Sequence, residues 1–320
     1  MLLFFSNTYL LKKHLAKTCL YLSYGIIILN LTACGPAAPA ADHEGEDQPT
    51  TTTSANKIVS LSGTITELFF KLGMQDKLVG VDITSTYPEA ARELPQLGHI
   101  SQLNAESILA LEPDLIVHES SSTGPSEVLT QLASSGIEVV EIETSHRLEN
   151  PLEVLDQLNE HFEIPTGKRD ILAQTIAANQ ASLTEYLSLI DGNPRVLFLY
   201  ARGMGRLMVG GSATSAAQVI ELAGGINAIQ SFEDFEALTP EALVEASPDI
   251  ILMFSSGLAS LDGKEGLAQI PGMSATPAFQ NDRIIAMDGL LLTGFGPRSS
   301  DAILELAKRF HSSALSQIAN

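Results

Sequence analysis

Tryptophan is absent from the 320 residues, cysteine occurs twice, and cations are scarce: 18 Lys and Arg stand against 38 Asp and Glu, a formal net charge of −20. So acidic a chain excludes the usual route to nucleic acid, in which Lys and Arg neutralise phosphates. Both cysteines, Cys19 and Cys34, fall within the first 34 residues. The remainder of the chain therefore carries no disulfide and no thiol nucleophile. No Gly-x-Ser-x-Gly elbow, phosphate loop or His-Glu-x-x-His pattern occurs. The stretch Gly203-Met204-Gly205-Arg206-Leu207-Met208 begins like a dinucleotide fingerprint. It lacks the third glycine, and Leu207-Met208-Val209 continues it as a strand rather than a helix. With no nucleophile and no acid/base pair in a recognisable constellation, no enzymatic activity is expected.

Long apolar runs are missing too, apart from one near the start. Lys12, Lys13, His14 and Lys17 precede an apolar run from Thr18 to Leu31. A basic n-region before so short an apolar core reads as a signal peptide. The run ends in Leu31-Thr32-Ala33-Cys34, which resembles a bacterial lipobox. That resemblance implies cleavage before Cys34 and a diacylglycerol on its sulfur. Residues 1–33 are then a lipoprotein signal, and the mature chain is exported and anchored through Cys34, in the periplasm or on the cell surface. Losing the three lysines of the signal takes the charge to −23. Residues 34–56, acidic and rich in Pro and Thr, cannot build a core and read as a flexible tether, with His43 solvated.

Beyond the tether the chain alternates between α and β patterns. Strands are expected at Lys57–Leu61, Lys77–Val81, Asp114–Val117 and Ile137–Ile142, and helices at Thr64–Leu72, Asn104–Leu111 and Ser126–Ser134. This rhythm predicts a mostly parallel sheet flanked by helices. An internal repeat then doubles the unit. Leu103-Asn104-Ala105-Glu106, ending in Pro113-Asp114-Leu115-Ile116, returns as Leu238-Thr239-Pro240-Glu241, ending in Pro248-Asp249-Ile250-Ile251, at a constant offset of 135 residues. Asn104 and Thr239 are N-cap types, with Glu106 and Glu241 in the first turn. Lys57–Leu61 is matched likewise by Arg195–Leu199. Two similar lobes are expected, 57–148 and 194–320. Residues 149–193 join them through one long helix of about 25 residues, Thr166–Ile190, marked by Ile171, Ile176, Leu183 and Leu187 and spanning ~37 Å. A cleft between two lobes is a preferred ligand site.

The layout resembles the helical-backbone class of ABC-importer substrate-binding proteins, and within it the haem-binding branch, over about residues 57–310. The carrying stretches in the first lobe are Lys57–Glu67, Leu78–Asp82 with Thr84–Pro88, and Leu97-Gly98-His99-Ile100-Ser101-Gln102-Leu103. In the second lobe they are Tyr200-Ala201-Arg202-Gly203, Gly224–Ala228, Met287–Leu292 and Gly294-Phe295-Gly296-Pro297-Arg298. The resemblance implies delivery of haem b, as cargo, to a permease dimer and its ATPase by a monomeric binding protein. It implies an axial iron ligand at His99, where the family often has Tyr followed two residues later by Arg. Here Ser101 stands at that second place. The opposing ligand falls on Tyr200. Glu106 and Glu241 are implied to dock on permease arginines, one per lobe.

The residues add their own reading. Haem iron takes an axial His or Tyr, and the macrocycle wants apolar faces and cations for its propionates. Arg202, two residues beyond Tyr200, falls on the same strand face and stabilises the tyrosinate that iron needs. Tyr87 is expected to pack on the ligand and Arg298 to meet a propionate. Met204 and Met208 are candidates for an apolar lining, with core packing as the default. His118, at a strand end, reads as structural, and His146, His161 and His311 as solvated. Cobalamin, a ferric siderophore and a bare metal ion stay open as ligands. A siderophore needs more cleft cations than Arg202 and Arg298. A bare ion needs three or four converging ligands, whereas only His99 and His118 offer themselves.

Overall fold

Short β-branched runs alternating with amphipathic helices fold into two sheets. The structure, a computed structural model, describes residues 55–120 and 127–312. The signal 1–33, Cys34 and the tether as far as residue 54 lie outside the described residues. The first lobe comprises β1 (Ile58–Leu61), α1 (Gly63–Leu72), β2 (Leu78–Val81), α2 (Ala105–Leu109), β3 (Leu115–Glu119), α3 (Glu127–Ser134) and β4 (Glu138–Ile142). Its four strands are all parallel, in the order β2-β1-β3-β4. Helices α4 (Asn150–Leu158) and α5 (Lys168–Ser188) come next in the chain.

The second lobe runs β5 (Arg195–Ala201), β6 (Leu207–Gly210), α6 (Ser215–Leu222), β7 (Ile226–Asn227), β8 (Phe235–Ala237), α7 (Pro240–Ala246), β9 (Ile250–Phe254), α8 (Ser255–Ser260), α9 (Lys264–Leu267), α10 (Pro277–Gln280), β10 (Ile284–Met287), α11 (Gly289–Thr293) and α12 (Ser299–Phe310). Its strand order is β10-β9-β5-β6-β8, with β7 paired to the start of β5. β10, β9, β5 and β7 pair in parallel, but β5–β6 and β6–β8 are antiparallel. This sheet is therefore mixed, because β5 folds back as a hairpin where a crossover helix would keep the sheet parallel.

The structure gives the repeat a physical reason. Asp114 Oδ2 accepts from the backbone N–H groups of Asn56 and Lys57, at 3.0 and 3.1 Å, and Asp249 Oδ2 accepts from Arg195 N–H at 2.8 Å. In return Asp114 N–H donates to Lys57 O and Asp249 N–H to Arg195 O, both at 2.8 Å. Each aspartate thus fastens the first strand of its lobe to the strand it begins. Glu112 (φ 47°) and Ser247 (φ 39°), one before each proline, both take left-handed backbone to turn the chain into the clamp.

Alternation along the strands builds three layers of core. Val196 and Phe198 of β5 share one cluster with Ile58, Phe69, Leu115, Leu172 and Phe310, so a single apolar body runs through both lobes. The opposite parity, Leu197, Leu199 and Ala201, faces an outer core of the second lobe, and Val59 and Leu61 face that of the first. Helix α5 is 21 residues, about 31 Å. It is shorter than the sequence suggested because Gly167 (φ 79°) stands at its start. Leu172, Ile176 and Leu183 point inward, whereas Ile171, one of the apolar residues that mark the helix, is 61% exposed. Arg169 grips Asp156 of α4 through two bonds (2.5 and 2.6 Å), and Asn179 donates to Ser300 (3.0 Å) and Asp301 (2.7 Å) of α12.

The lobes also touch directly. Glu67 on α1, with its side chain 5% exposed, is bound by Arg298 through Nε (2.7 Å) and Nη2 (2.8 Å). Thr64 Oγ1 donates to Gly294 O (2.7 Å) and Asn150 Nδ2 to Phe295 O (3.0 Å). At Gly63 a Cβ would lie 2.4 Å from Thr84 O and 2.9 Å from Leu290 Cδ1, so only glycine lets this turn sit so close. His311, read from sequence as solvated, is in fact buried against Gly224, and burial pushes its imidazole below 6.5 despite opposing backbone hydrogen bonds.

This packing generates two expected outcomes. Glu67→Ala strands Arg298 and is expected to cost about 3 kcal/mol, the lower end for a broken buried pair because Arg298 is partly exposed. Replacing both residues with apolar side chains recovers much of that loss in denaturant unfolding. For His311, the unfolded chain binds the proton more readily than the folded one just below pH 6.5. Stability therefore falls as pH drops through that window. His311→Asn removes this component, so the gap between the two urea-unfolding curves narrows from about pH 7 to about pH 5; a constant gap contradicts it.

Candidate functional site

Open α/β sheets expose ligand-contacting loops at the carboxyl ends of their strands. In the first lobe, Asp82 follows the last residue of β2 and is 2% exposed. Its carboxylate accepts from Thr84 Oγ1 (2.6 Å) and Ser85 Oγ (2.9 Å). Ser85 Oγ also lies 2.8 Å from Thr66 Oγ1, which donates to Ser60 Oγ at 2.9 Å. Burial pushes the Asp82 carboxyl up; these hydroxyls and the nearby His99 charge pull against it. The hydroxyl-rich wall carries the next loop, since Ile83 N–H donates to Gly98 O (3.1 Å).

Gly98 takes φ 83°, and the chain enters a 3-10 turn, Ile100–Gln102, capped by His99 itself. Ser101 N–H donates to His99 Nδ1 at 3.2 Å, and Ser101 Oγ lies 2.8 Å from the same nitrogen. His99 is exposed, held at Nδ1, with Nε2 directed away from that contact. Ser101, standing where the resembling family often has Arg, thus serves as a local anchor for the ring.

Tyr87 lies in the loop after β2 and is 44% exposed. The Arg298 guanidinium sits 3.5 Å from its ring centroid. Arg298 was expected on a ligand carboxylate. The structure commits it instead to buried Glu67 on one side and to the Tyr87 face on the other. Burial depresses its basicity, but the Glu67 hydrogen bonds and charge outweigh that and leave it raised.

Across the cleft, Tyr200 continues the Val196–Phe198 face of β5 and pairs with Met208. Its ring meets Phe235 (6.4 Å) and Phe254 (6.1 Å) edge-on. A cavity of about 390 Å³ opens here, lined by Phe198, Tyr200, Arg206, Met208, Phe235 and Phe254 among others. Arg202 and Arg206 lie 5.8 and 5.9 Å from the Tyr200 centroid. Arg202 lies on this face, as its spacing from Tyr200 predicts; Arg206, which in the sequence stands only inside an incomplete glycine motif, lies there too. The missed signal was the hairpin: with Ala201 opposite Leu207, the next pair is Arg202 and Arg206, joined by Arg202 N–H to Arg206 O at 3.0 Å. Met208 joins the lining, whereas Met204 is 49% exposed at the turn.

Other candidates are placed elsewhere. His118 is 5% exposed with Nδ1 3.2 Å from Glu119 O, a strand-end histidine in the packing. His146 stacks on Phe295 (5.4 Å), and His161 lies 3.4 Å from Glu138. Among the described residues no group of three His, Cys, Asp or Glu converges as a metal site. Glu106 and Glu241 are exposed, one on each lobe. Their helices are capped by Asn104 Oδ1, accepting from Ser107 N–H (3.0 Å), and by Thr239 Oγ1, accepting from Ala242 N–H (3.1 Å). Neither glutamate is needed for the cap.

Two α/β lobes, a bridging helix and a cleft of aromatic and cationic groups define a two-lobed binding protein. The family model described as periplasmic binding protein matches residues 58–290, and the chain belongs to that family. Such proteins are exported, non-catalytic components of ABC transport. The chain is similar in structure to the periplasmic heme-binding protein RhuT from Roseiflexus sp. RS-1. That match has 38% identity and a TM-score of 0.76, covering 81% of this chain and 99% of that one. It is 26% identical to the uncharacterized ABC transporter substrate-binding lipoprotein YvrC of Bacillus subtilis, over 80% of each chain. It is 28% identical to the vitamin B12-binding protein of Vibrio cholerae serotype O1, over 78% of this chain and 87% of that one.

Proposed function

We propose that this chain binds haem in the cleft and delivers it to an ABC importer. The observation that carries the reading is Tyr200, set in an aromatic cavity beneath two guanidinium groups. Phenolate is a haem-iron ligand, and the aromatic walls suit a planar apolar macrocycle. His99 Nε2 is the partner ligand from the first lobe, with Nδ1 held at Ser101. With iron at Nε2 the ring's single N–H proton sits on Nδ1, so Ser101 Oγ, 2.8 Å away, accepts it and the Ser101 N–H contact to that nitrogen is given up. Arg202 stabilises the anionic Tyr200, and Tyr87 offers a planar face that Arg298 holds in place.

Glu106 and Glu241 meet basic groups of the two permease subunits, and Cys34 holds the monomeric chain to the membrane through its lipid. Residues 57–148 and 194–320 form the two lobes, joined through 149–193. Cobalamin is the second reading, favoured by the similarity to a vitamin B12-binding protein. Against it, the described cavity offers a phenol in a cationic setting, which iron uses and a corrin with its own axial base does not require.

Hemin titration of the full chain, made without lipid by Cys34→Ser, tests the assignment. Saturable binding is expected, with the absorption spectrum altered in His99→Ala and in Tyr200→Ala. A chain that saturates with cyanocobalamin and not with hemin replaces the reading by its rival. A spectrum unmoved by one of the two substitutions removes that residue from the axial pair.

Docking is tested with Glu106→Lys and Glu241→Lys in proteoliposomes carrying the importer. Hemin affinity stays as in the parent. Transport falls by about tenfold or more for each, since an inverted charge at an interface costs upwards of about 1.4 kcal/mol. Undiminished transport in the double variant rejects the docking role.

A further inference from the structure

We infer that Arg206 is the residue that reads the ligand's carboxylate; the inference rests on the tetrapyrrole reading above and assigns this side chain a task within it. Arg202 and Arg206 are cross-strand neighbours on the β5–β6 hairpin, either side of Gly203-Met204-Gly205. Like charges directly opposite one another destabilise a hairpin. Here nothing cancels them: among the described residues neither guanidinium has a carboxylate within ion-pair distance. The chain holds 38 acids to 18 cations, so carboxylates are in excess, yet none among the described residues is placed against this pair. The Tyr200 ring compensates both through its face, each within 6 Å of the centroid, but a π-face serves two cations less well than an anion does. The hairpin therefore holds an unneutralised positive edge beside the aromatic cavity, and a bound anion relieves the repulsion.

The two arginines differ in reach. Arg206 lines the cavity and Arg202 does not. Arg298, the other cation of the cleft, is already neutralised by Glu67. A planar ligand with its apolar body against Phe235 and Phe254 thus has Arg206 at the cavity edge for a carboxylate, in the fork geometry that guanidinium offers. Arg202 is left to the phenolate.

The test removes the carboxylate from the ligand as well as the guanidinium from the protein. The full Cys34→Ser chain and its Arg206→Gln and Arg206→Lys variants are titrated with hemin and with hemin dimethyl ester. Arg206→Gln is expected to weaken hemin by about tenfold to a hundredfold. It leaves the ester unchanged and the spectrum of bound hemin like the parent's, and Arg206→Lys recovers part of the loss. Equal losses for acid and ester overturn the inference by making Arg206 a packing residue, as does an unchanged hemin affinity. If the parent chain itself fails to saturate with hemin, the tetrapyrrole reading falls and the role of Arg206 with it. A parent that saturates while Arg206→Gln behaves like it sinks the inference alone.

Discussion

A carboxylate almost wholly removed from water needs donors to hold it, and its charge is best kept by a cation in hydrogen-bonding contact. Glu67 is in that position, and its cation comes from the other lobe. Meeting this requirement fixes the start of α12 against α1. It brings Gly294 within reach of Thr64 and Phe295 within reach of Asn150, and it lays the Arg298 guanidinium beneath Tyr87. The cleft floor is thus assembled around one charge pair. Such a pair adds little net stability compared with apolar side chains of the same volume. What it supplies here is a fixed relation between lobes that no helix cap or strand pairing could enforce.

Much of this was readable in the sequence where the signal is local and repeated. The Pro-Asp repeat at an offset of 135 residues revealed two lobes because it encodes a backbone clamp, Asp114 on Lys57 and Asp249 on Arg195, that any lobe of this design needs. Strand positions were readable to within a residue or two, since β1, β2, β3 and β9 are apolar runs with both faces covered. The β5–β6 hairpin broke the pattern of parallel pairing. Its turn, Gly203-Met204-Gly205, lay inside a stretch that resembles the start of a phosphate-binding motif. Partners distant in the chain were not readable. Nothing in the spacing of Glu67 and Arg298 announces a pair across 231 residues, so Arg298 looked like a free cation. His311 looked solvated because its burial depends on Gly224, from another element.

The distribution of charge repeats that contrast. Several cations of this acidic chain are held by carboxylates, as in Arg169 on Asp156, Lys57 on Glu112 and, between the lobes, Arg298 on Glu67. Arg195 and Arg283 bond backbone carbonyls instead, whereas Arg202 and Arg206, with no carboxylate partner among the described residues, share one hairpin beside one tyrosine. Placing two like charges opposite one another works against the hairpin's own stability, the kind of local conflict that functional sites retain.

The duplicated clamp has a counterpart in what was not duplicated. At one end of the two sheets the lobes are built alike, each strand fastened by its aspartate. At the other end they share almost nothing. In the first lobe a buried set of hydroxyls and a carboxyl, Ser60, Thr66, Ser85 and Asp82, underlies loops that expose His99 and Tyr87; in the second a hairpin carries phenyl, phenol and guanidinium groups. A pair of equivalent jaws would let a ligand enter either way round. Jaws made of the same framework but different chemistry, imidazole on one and phenol beside guanidinium on the other, are not interchangeable.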